Sequence, residues 1–382
     1  MITTTIQQLR EFKTPFYHYD LELLDKTLRV AVQEANRHGF YLHYALKANA
    51  NPRLLAVIRE HGIGADCVSG NEITAAIESG FPADGIVYAG VGKSDEEIQL
   101  ALQQEIGGFN CESFPELEVI SQLAAASGKT ARVSLRVNPG VDACTHHYIT
   151  TGIEENKFGF PLDDVREATQ RCLSLPNIEW TGLHFHVGSQ ITGDEVFREL
   201  CNRVNEIQRD LAATGLVPAR VNFGGGLGVD YDDPDARPVA DFAGYFRVFA
   251  EHFKRLPGQQ VHFEPGRSIV AQCGSLVARV LYVKEGKNKK FVILDAGMND
   301  LIRPALYQAH HRVENLSAAG TGALEPYDVV GPVCESADCF GEALLLPPTR
   351  RGDLVAIRSC GAYGEVMASR YNLRPLAPAR FF

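Results

Sequence analysis

The sequence has no stretch approaching the ~18 uninterrupted apolar residues that a membrane-crossing helix requires. It has no excess of positive charge. Lys and Arg total 37 against 47 Asp and Glu, a formal net charge of −10. That balance excludes the basic footprint of a nucleic-acid binder and attraction to anionic lipid. None of the nine cysteines, at 67, 111, 144, 172, 201, 273, 334, 339 and 360, forms a CxxC pair, so zinc-ribbon and thioredoxin motifs are missing. The opening MITTTIQQLREF lacks a basic segment followed by an apolar core. The expectation is a cytoplasmic protein with reduced thiols, bound neither to nucleic acid nor to a membrane.

What is present is ordinary globular composition, 45% apolar and 22% charged over 382 residues. From about residue 25 to 265, short apolar runs alternate with helical periodicity. The runs are Phe40–Leu46, Gly85–Ala89, Ala131–Val137, Trp180–Val187, Val221–Phe223 and Gln260–Glu264, with weaker ones near 64–68 and 105–110. Ser94 to Glu97 reads as a capping box, and Ser113 to Leu123 as a helix with Pro115 in its first turn. Eight strands in ~240 residues is the size of a closed (β/α)8 barrel, with an open doubly wound sheet as the rival. Beyond Arg267 the runs Ser275–Lys284, Phe291–Leu294, Tyr327–Val330 and Leu354–Ile357 read as a mainly antiparallel β domain. Phe16–Tyr19 is placed to add a strand to it. The expected division is a barrel at 25–272, a β domain at 273–382 and a joining segment at 1–24.

Barrel enzymes carry their chemistry where strands end. Lys47 directly follows such a run. Desolvated there, its amine would suit Schiff-base chemistry, whereas in solvent it is only a strand-terminal lysine. Gly224-Gly225-Gly226-Leu227-Gly228 lets backbone amides approach an anion such as phosphate, or simply makes a tight turn. Glu264 and Arg267 either pair with each other or reach different atoms of one ligand. His184 and His186 share a strand face, so metal ligation is one reading, although no third ligand accompanies them. Gly188-Ser189 after them suggests an anion loop instead.

Taken together, these segments resemble the motif series of the diaminopimelate decarboxylases, pyridoxal-phosphate enzymes of the alanine-racemase-like fold, also called fold type III. The series is Tyr44–Asn49, Gly64–Gly70, Arg136–Pro139, Glu155–Gly159, His184–Gln190, Gly224–Gly226, Glu264–Arg267, Asp295–Tyr307, Gly331–Ser336 and Gly361–Gly364. It runs in order over nearly the whole chain. The resemblance implies a PLP-binding barrel, a C-terminal β domain and a homodimer with shared active sites.

It also implies roles. Lys47 would bind pyridoxal 5'-phosphate as an imine. Gly225, Gly226, Ser189 and the backbone near Gly266 and Arg267 would hold its phosphate. His186 would stack on the ring and Glu264 would meet the ring nitrogen, favouring decarboxylation over racemisation. Asp66 and Arg136 match positions near the cofactor, and Tyr363 contacts it. Arg267, Arg303 and Tyr307 would take the distal carboxylate of the small-molecule substrate, meso-diaminopimelate, and Glu335 its distal ammonium. Cys334 would donate a proton to Cα, with Cys334 and Glu335 serving the other subunit's site. No metal is implied. The tail Leu373–Pro378 departs from the family, and Glu365 stands where an uncharged residue is expected. A polyamine-pathway decarboxylase, a non-catalytic pyridoxal-phosphate binder and a zinc hydrolase on His184 and His186 are the rival readings.

Overall fold

The computed structural model describes residues 5–141, 157–318, 320 and 322–382. Glu155 and Asn156 of the expected motif, and Cys144, lie outside them. The chain divides into two compact units. One contains Leu28–Gly228 and Asp241–Gly266. The other contains the residues up to Thr27, Val229–Ala240 and Arg267–Phe382. The sequence bounds are a barrel at 25–272 and a β domain at 273–382 joined by 1–24, and the second unit takes in Val229–Ala240 besides. The short segment Val229–Ala240 is grouped with the C-terminal residues, a long-range association that linear patterning does not register.

In chain order the strands begin with β1 (Phe16–Tyr19), which belongs to the second unit. The first unit holds β2 (Phe40–Ala45), β3 (Gly64–Cys67), β4 (Ile86–Tyr88), β5 (Gly108–Cys111), β6 (Ala131–Arg136), β7 (Ile178–His184), β8 (Arg220–Asn222) and β9 (Gln260–Phe263). Each pairs in parallel with the next, and β9 closes on β2 through Phe40 opposite Val261. The barrel is therefore shut, and the open-sheet alternative is excluded. Helices cover it, because strands buried on both faces need apolar cover outside. Helix Asp95–Gln103 starts at the expected capping box of Ser94 and Glu97. Helix Phe114–Ala126 is capped by Ser113 and buries Leu117 and Ile120. Helix Phe242–His252 packs Phe246 and Phe249 against Phe263, with centroids 5.1 and 4.8 Å apart.

Branched aliphatics fill the inside of most such barrels. Here buried polar groups occupy it. Asn110 on β5 bonds to Glu264 just beyond β9, and because those strands are not neighbours the bond crosses the lumen. Below it, His43 Nε2 and His262 Nδ1 are 2.8 Å apart, while His43 Nδ1 lies 3.0 Å from the Gly85 carbonyl. That carbonyl can only accept, so Nδ1 of His43 carries its proton and His262 donates to Nε2.

The second unit is a mostly antiparallel sheet ordered β12-β15-β10-β11-β13-β14. Its strands are β10 (Gly274–Glu285), β11 (Lys290–Leu294), β12 (Val313–Asn315), β13 (Glu325–Val330), β14 (Cys339–Leu346), β15 (Leu354–Ile357) and β16 (Ala379–Phe381). β1 lies between β10, antiparallel, and β16, parallel. Only β11–β13 and β1–β16 pair in parallel. Strands β12, β14 and β16 go beyond the sequence expectation. Two of these have three residues each, and β14 carries the apolar run Ala343–Leu346 with Ala343 and Leu345 exposed, which the sequence reading does not take up.

Candidate active site

Where β2 ends, the chain turns through Leu46–Ala48 and presents Lys47 between two fully buried neighbours, Leu46 and Ala48. Its side chain is 39% exposed, and Nζ stands 3.8 Å from Asp66 Oδ2 at the end of β3. Beside these apolar neighbours a carboxylic group thus faces the amine.

Glu264 follows β9 and is buried. Three donors converge on its carboxylate: His184 Nε2 at 2.9 Å, Asn222 Nδ2 at 2.7 Å and Asn110 Nδ2 at 3.3 Å. Burial alone would raise its pKa. The imidazole and hydrogen bond of His184, with Lys47 further off, outweigh burial and hold Glu264 well below the usual carboxylate range. Asp66 is its counterpart. Neither Asp66 oxygen has a hydrogen-bond partner among the described residues. Burial first, and then the Glu264 charge, push Asp66 well above the ordinary value despite Lys47. Of the two buried carboxyls, Asp66, without donors among the described residues, is the more readily protonated.

His184 and His186 do not act as a pair. β7 ends at His184, which is committed to Glu264, whereas His186 lies beyond the strand and its Nδ1 accepts from the Gly225 amide at 3.3 Å. Burial and then Lys47 hold the His186 pKa well below normal, so its ring is neutral and that nitrogen is a true acceptor. Among the described residues, no three His, Cys, Asp or Glu side chains form a metal site.

The glycine turn after β8 is built for close approach. Gly224 has φ +69° and Gly226 φ +117°, and a Cβ on Gly225 would lie 2.5 Å from the Glu264 carbonyl oxygen. Ile191 N donates to Gly226 O and Gly228 N to Ile191 O, which fixes the Gly188–Ile191 loop carrying Ser189 beside the turn. Tyr245 donates to Gly225 O at 3.1 Å. The turn's carbonyls are thus used by protein donors. The amides of Gly226 and Gly266 donate to no protein group among the described residues. A Cβ at Gly266 would sit 3.0 Å from Ala45 and 3.1 Å from Ala48, so the backbone there stays bare beside Lys47. Free amides, a lysine, a buried anion and a neutral imidazole in one barrel end fit a phosphorylated, electron-withdrawing aldehyde cofactor.

Arg136 lies one strand further round. It is paired with Glu112 at 2.7 Å, and Glu112 also accepts from the amides of Gly90 and Gly159. The charge of Arg136 is also felt at Asp66 and His186.

The second unit holds the remaining candidates. Arg267 and Arg303 are buried, and both donate to Tyr231. Arg267 also lies over the Tyr363 ring, 4.9 Å from its centroid. Cys334 and Glu335 are exposed. Cys334 N donates to Asn372 Oδ1 at 3.2 Å, and Glu335 accepts from Tyr371 at 2.6 Å. Among the described residues, no hydrogen bond or ion pair joins Cys334 or Glu335 to Arg267, Arg303 or Tyr307. The unexpected Glu365 is accounted for: Tyr19 donates to it at 2.7 Å.

Sequence reasoning missed Asn110, Asn222 and Tyr231, and did not anticipate His184 as a partner of Glu264. A polar residue inside an apolar strand run was the available signal for the two asparagines and the histidine. Such groups stay buried only with a partner.

Residues 24–271 match the family described as pyridoxal-dependent decarboxylase, pyridoxal binding domain. The chain is 55% identical over 372 residues to a diaminopimelate decarboxylase of Bacteroides thetaiotaomicron, covering 97% of this chain and 96% of that one. Among solved structures, the Helicobacter pylori diaminopimelate decarboxylase complexed with L-lysine is 40% identical. Its TM-score is 0.91, with 98% of this chain and 93% of that one covered. The M. jannaschii diaminopimelate decarboxylase in co-complex with L-lysine is 33% identical at a TM-score of 0.90, covering 99% and 89%.

Proposed function

The chain belongs to the pyridoxal-dependent decarboxylases, and on that footing we propose that it removes one carboxyl group of meso-2,6-diaminopimelate as CO2 and releases L-lysine, the last step of lysine biosynthesis. The observation that carries this reading is the buried Glu264, kept anionic by His184, Asn110 and Asn222. Pyridoxal phosphate, when bound, supplies a heterocycle that draws off the electron pair left by the departing CO2.

The protein's own contribution follows from charge and geometry. Lys47 would hold the cofactor covalently through Nζ. Glu264 would keep a positive charge on the ring nitrogen. Opposite unit charges ~4 Å apart are worth about 4 kcal/mol at an effective dielectric of 20. His186, neutral, suits stacking on the ring without adding charge against Lys47. The amides of Gly226 and Gly266, with Ser189, would meet the phosphate.

Arg267, Arg303 and Tyr307 are assigned to the distal carboxylate and Glu335 to the distal ammonium, with Tyr363 beside Arg267. Cys334 Sγ is assigned the proton delivered to Cα. The exposure of Cys334 and Glu335 supports a homodimer in which each chain lends this pair to the other's site. A cytoplasmic location accords with the eight unpaired cysteines among the described residues. The test is direct. Purified protein supplied with pyridoxal phosphate should release CO2 and lysine in equal amounts from meso-diaminopimelate. Absence of lysine with the cofactor bound would overturn the reading.

A further inference from the structure

We propose that Tyr231 is a positioning residue whose phenol oxygen ties the guanidinium groups of Arg267 and Arg303 into one fixed carboxylate-binding unit. This rests on the assignment of those arginines to the substrate's distal carboxylate.

The geometry is a clasp. Arg267 Nη1 donates to Tyr231 Oη at 2.7 Å, and Arg303 Nη1 donates to the same oxygen at 3.0 Å. Arg267 and Arg303 are each 5% exposed and Tyr231 is 8% exposed. Two guanidinium ions held this close repel each other, and away from water the repulsion is weakly screened. An oxygen between them offsets it.

That oxygen has two lone pairs, and both are used as acceptors. The phenol proton has no acceptor among the described residues. Burial would raise the phenol's pKa, yet Arg267 and then Arg303 more than reverse that and lower it below the ordinary value. The two guanidinium groups that share this oxygen make the clasp cationic, which suits a carboxylate.

Arg303 is braced from behind as well. Its Nη1 lies 2.8 Å from His311 Nε2, and His311 Nδ1 lies 2.8 Å from the Arg358 carbonyl. The carbonyl accepts only, so His311 keeps its proton on Nδ1 and turns a lone pair to Arg303. Burial and the nearby Arg303 hold His311 neutral, its pKa lowered to about 3. Arg303 therefore makes its protein bonds through Nη1 alone. Its Nη2 and Nε have no hydrogen-bond or carboxylate partner among the described residues. That is the edge which receives a carboxylate in a two-pronged bond.

The experiment compares wild-type and Tyr231→Phe holoenzymes. The variant keeps the ring and removes only the oxygen. Its KM for diaminopimelate should rise about tenfold or more, by a larger factor than kcat falls, with cofactor content unchanged. A near-ultraviolet pH titration of the wild-type apoprotein should show one tyrosine ionising below the ordinary phenol range, and Tyr231→Phe should lack it. An unchanged KM, a loss confined to kcat, or a wild type whose tyrosines all ionise in the ordinary range overturns the proposal. The titration needs no variant and no turnover. It therefore judges the clasp even if Tyr231→Phe fails to fold. A wild type that makes no lysine refutes the decarboxylase reading instead, and with it the carboxylate assignment.

Discussion

His184 Nε2 lies 2.9 Å from Glu264 Oε2, and both side chains are buried. The pair reaches across β8, from the end of β7 to just beyond β9, so the charge of Glu264 depends on three barrel strands lying side by side. The same carboxylate that would tune the cofactor is therefore also part of the fold.

Glu264→Gln keeps the volume and removes the charge. Losing ~4 kcal/mol of attraction corresponds to a fall in turnover of about a thousandfold. Cofactor content should fall far less. Steady-state kinetics beside absorbance of the bound cofactor checks this. Near-normal turnover would remove Glu264 from the mechanism.

Lys47→Ala should abolish the visible absorbance of bound cofactor and lower turnover by at least about a thousandfold. Asp66→Asn behaves differently. It replaces a buried carboxyl whose oxygens have no donor with a neutral amide, so the apoprotein should unfold at a higher temperature at pH 8. The sign follows from the raised pKa. Folding protonates Asp66, so its penalty is absent in acid and grows as pH rises through and beyond the unfolded value. Differential scanning calorimetry at pH 5 and pH 8 should show the benefit mainly at the higher pH.

Acid destabilisation should begin near pH 6.5. Burial lowers His262 to about 2 and His311 to about 3, and also lowers His43. These rings are neutral when folded and bind protons once unfolded. Their contribution is intact above the unfolded value and declines as pH falls from there toward the folded values. Each histidine gives a slope of about 1.4 kcal/mol per pH unit. Urea midpoints measured from pH 7.5 to 5 should drop accordingly, and His262→Gln should flatten the curve. A flat wild-type profile would mean these rings are hydrated.

Cys334→Ala and Lys47→Ala proteins, each inactive alone, should regain roughly a quarter of wild-type activity after mixing and subunit exchange. One of the two sites in a hybrid dimer then has both residues intact. No recovery, with hybrids verified by mass, would place Cys334 and Lys47 of the same chain in one site.

Ornithine and lysine lack the distal carboxylate that Arg303 is assigned to receive. Their kcat/KM should lie about 10⁴–10⁵ below that of diaminopimelate, because a buried guanidinium edge would be left unpaired. A substrate panel decides it.

Much of this was legible in the sequence, for physical reasons that also mark the limit. Barrel strands such as Ile86–Tyr88 are read easily because burial on both faces writes an apolar run. Strand β14 mixes exposed Glu342, Ala343 and Leu345 with buried Phe340 and Leu346, a pattern that is neither a clean alternation nor a fully buried run. Lys47, the glycine turn and Glu264 stand out because local sequence dictates what they do. The partners of Glu264 do not: Asn110 is 154 residues away, and only a closed barrel brings it across. Tyr231 sits in Asp230–Asp233, which reads as a solvated acidic loop, and only the tertiary fold sets it between two arginines.

β1 has a further consequence, for synthesis. Tyr17 is paired on one side with Leu276 and on the other with Ala379. A growing chain therefore carries Phe16–Tyr19 unpaired while the whole barrel is made, first waiting for β10 and then for β16.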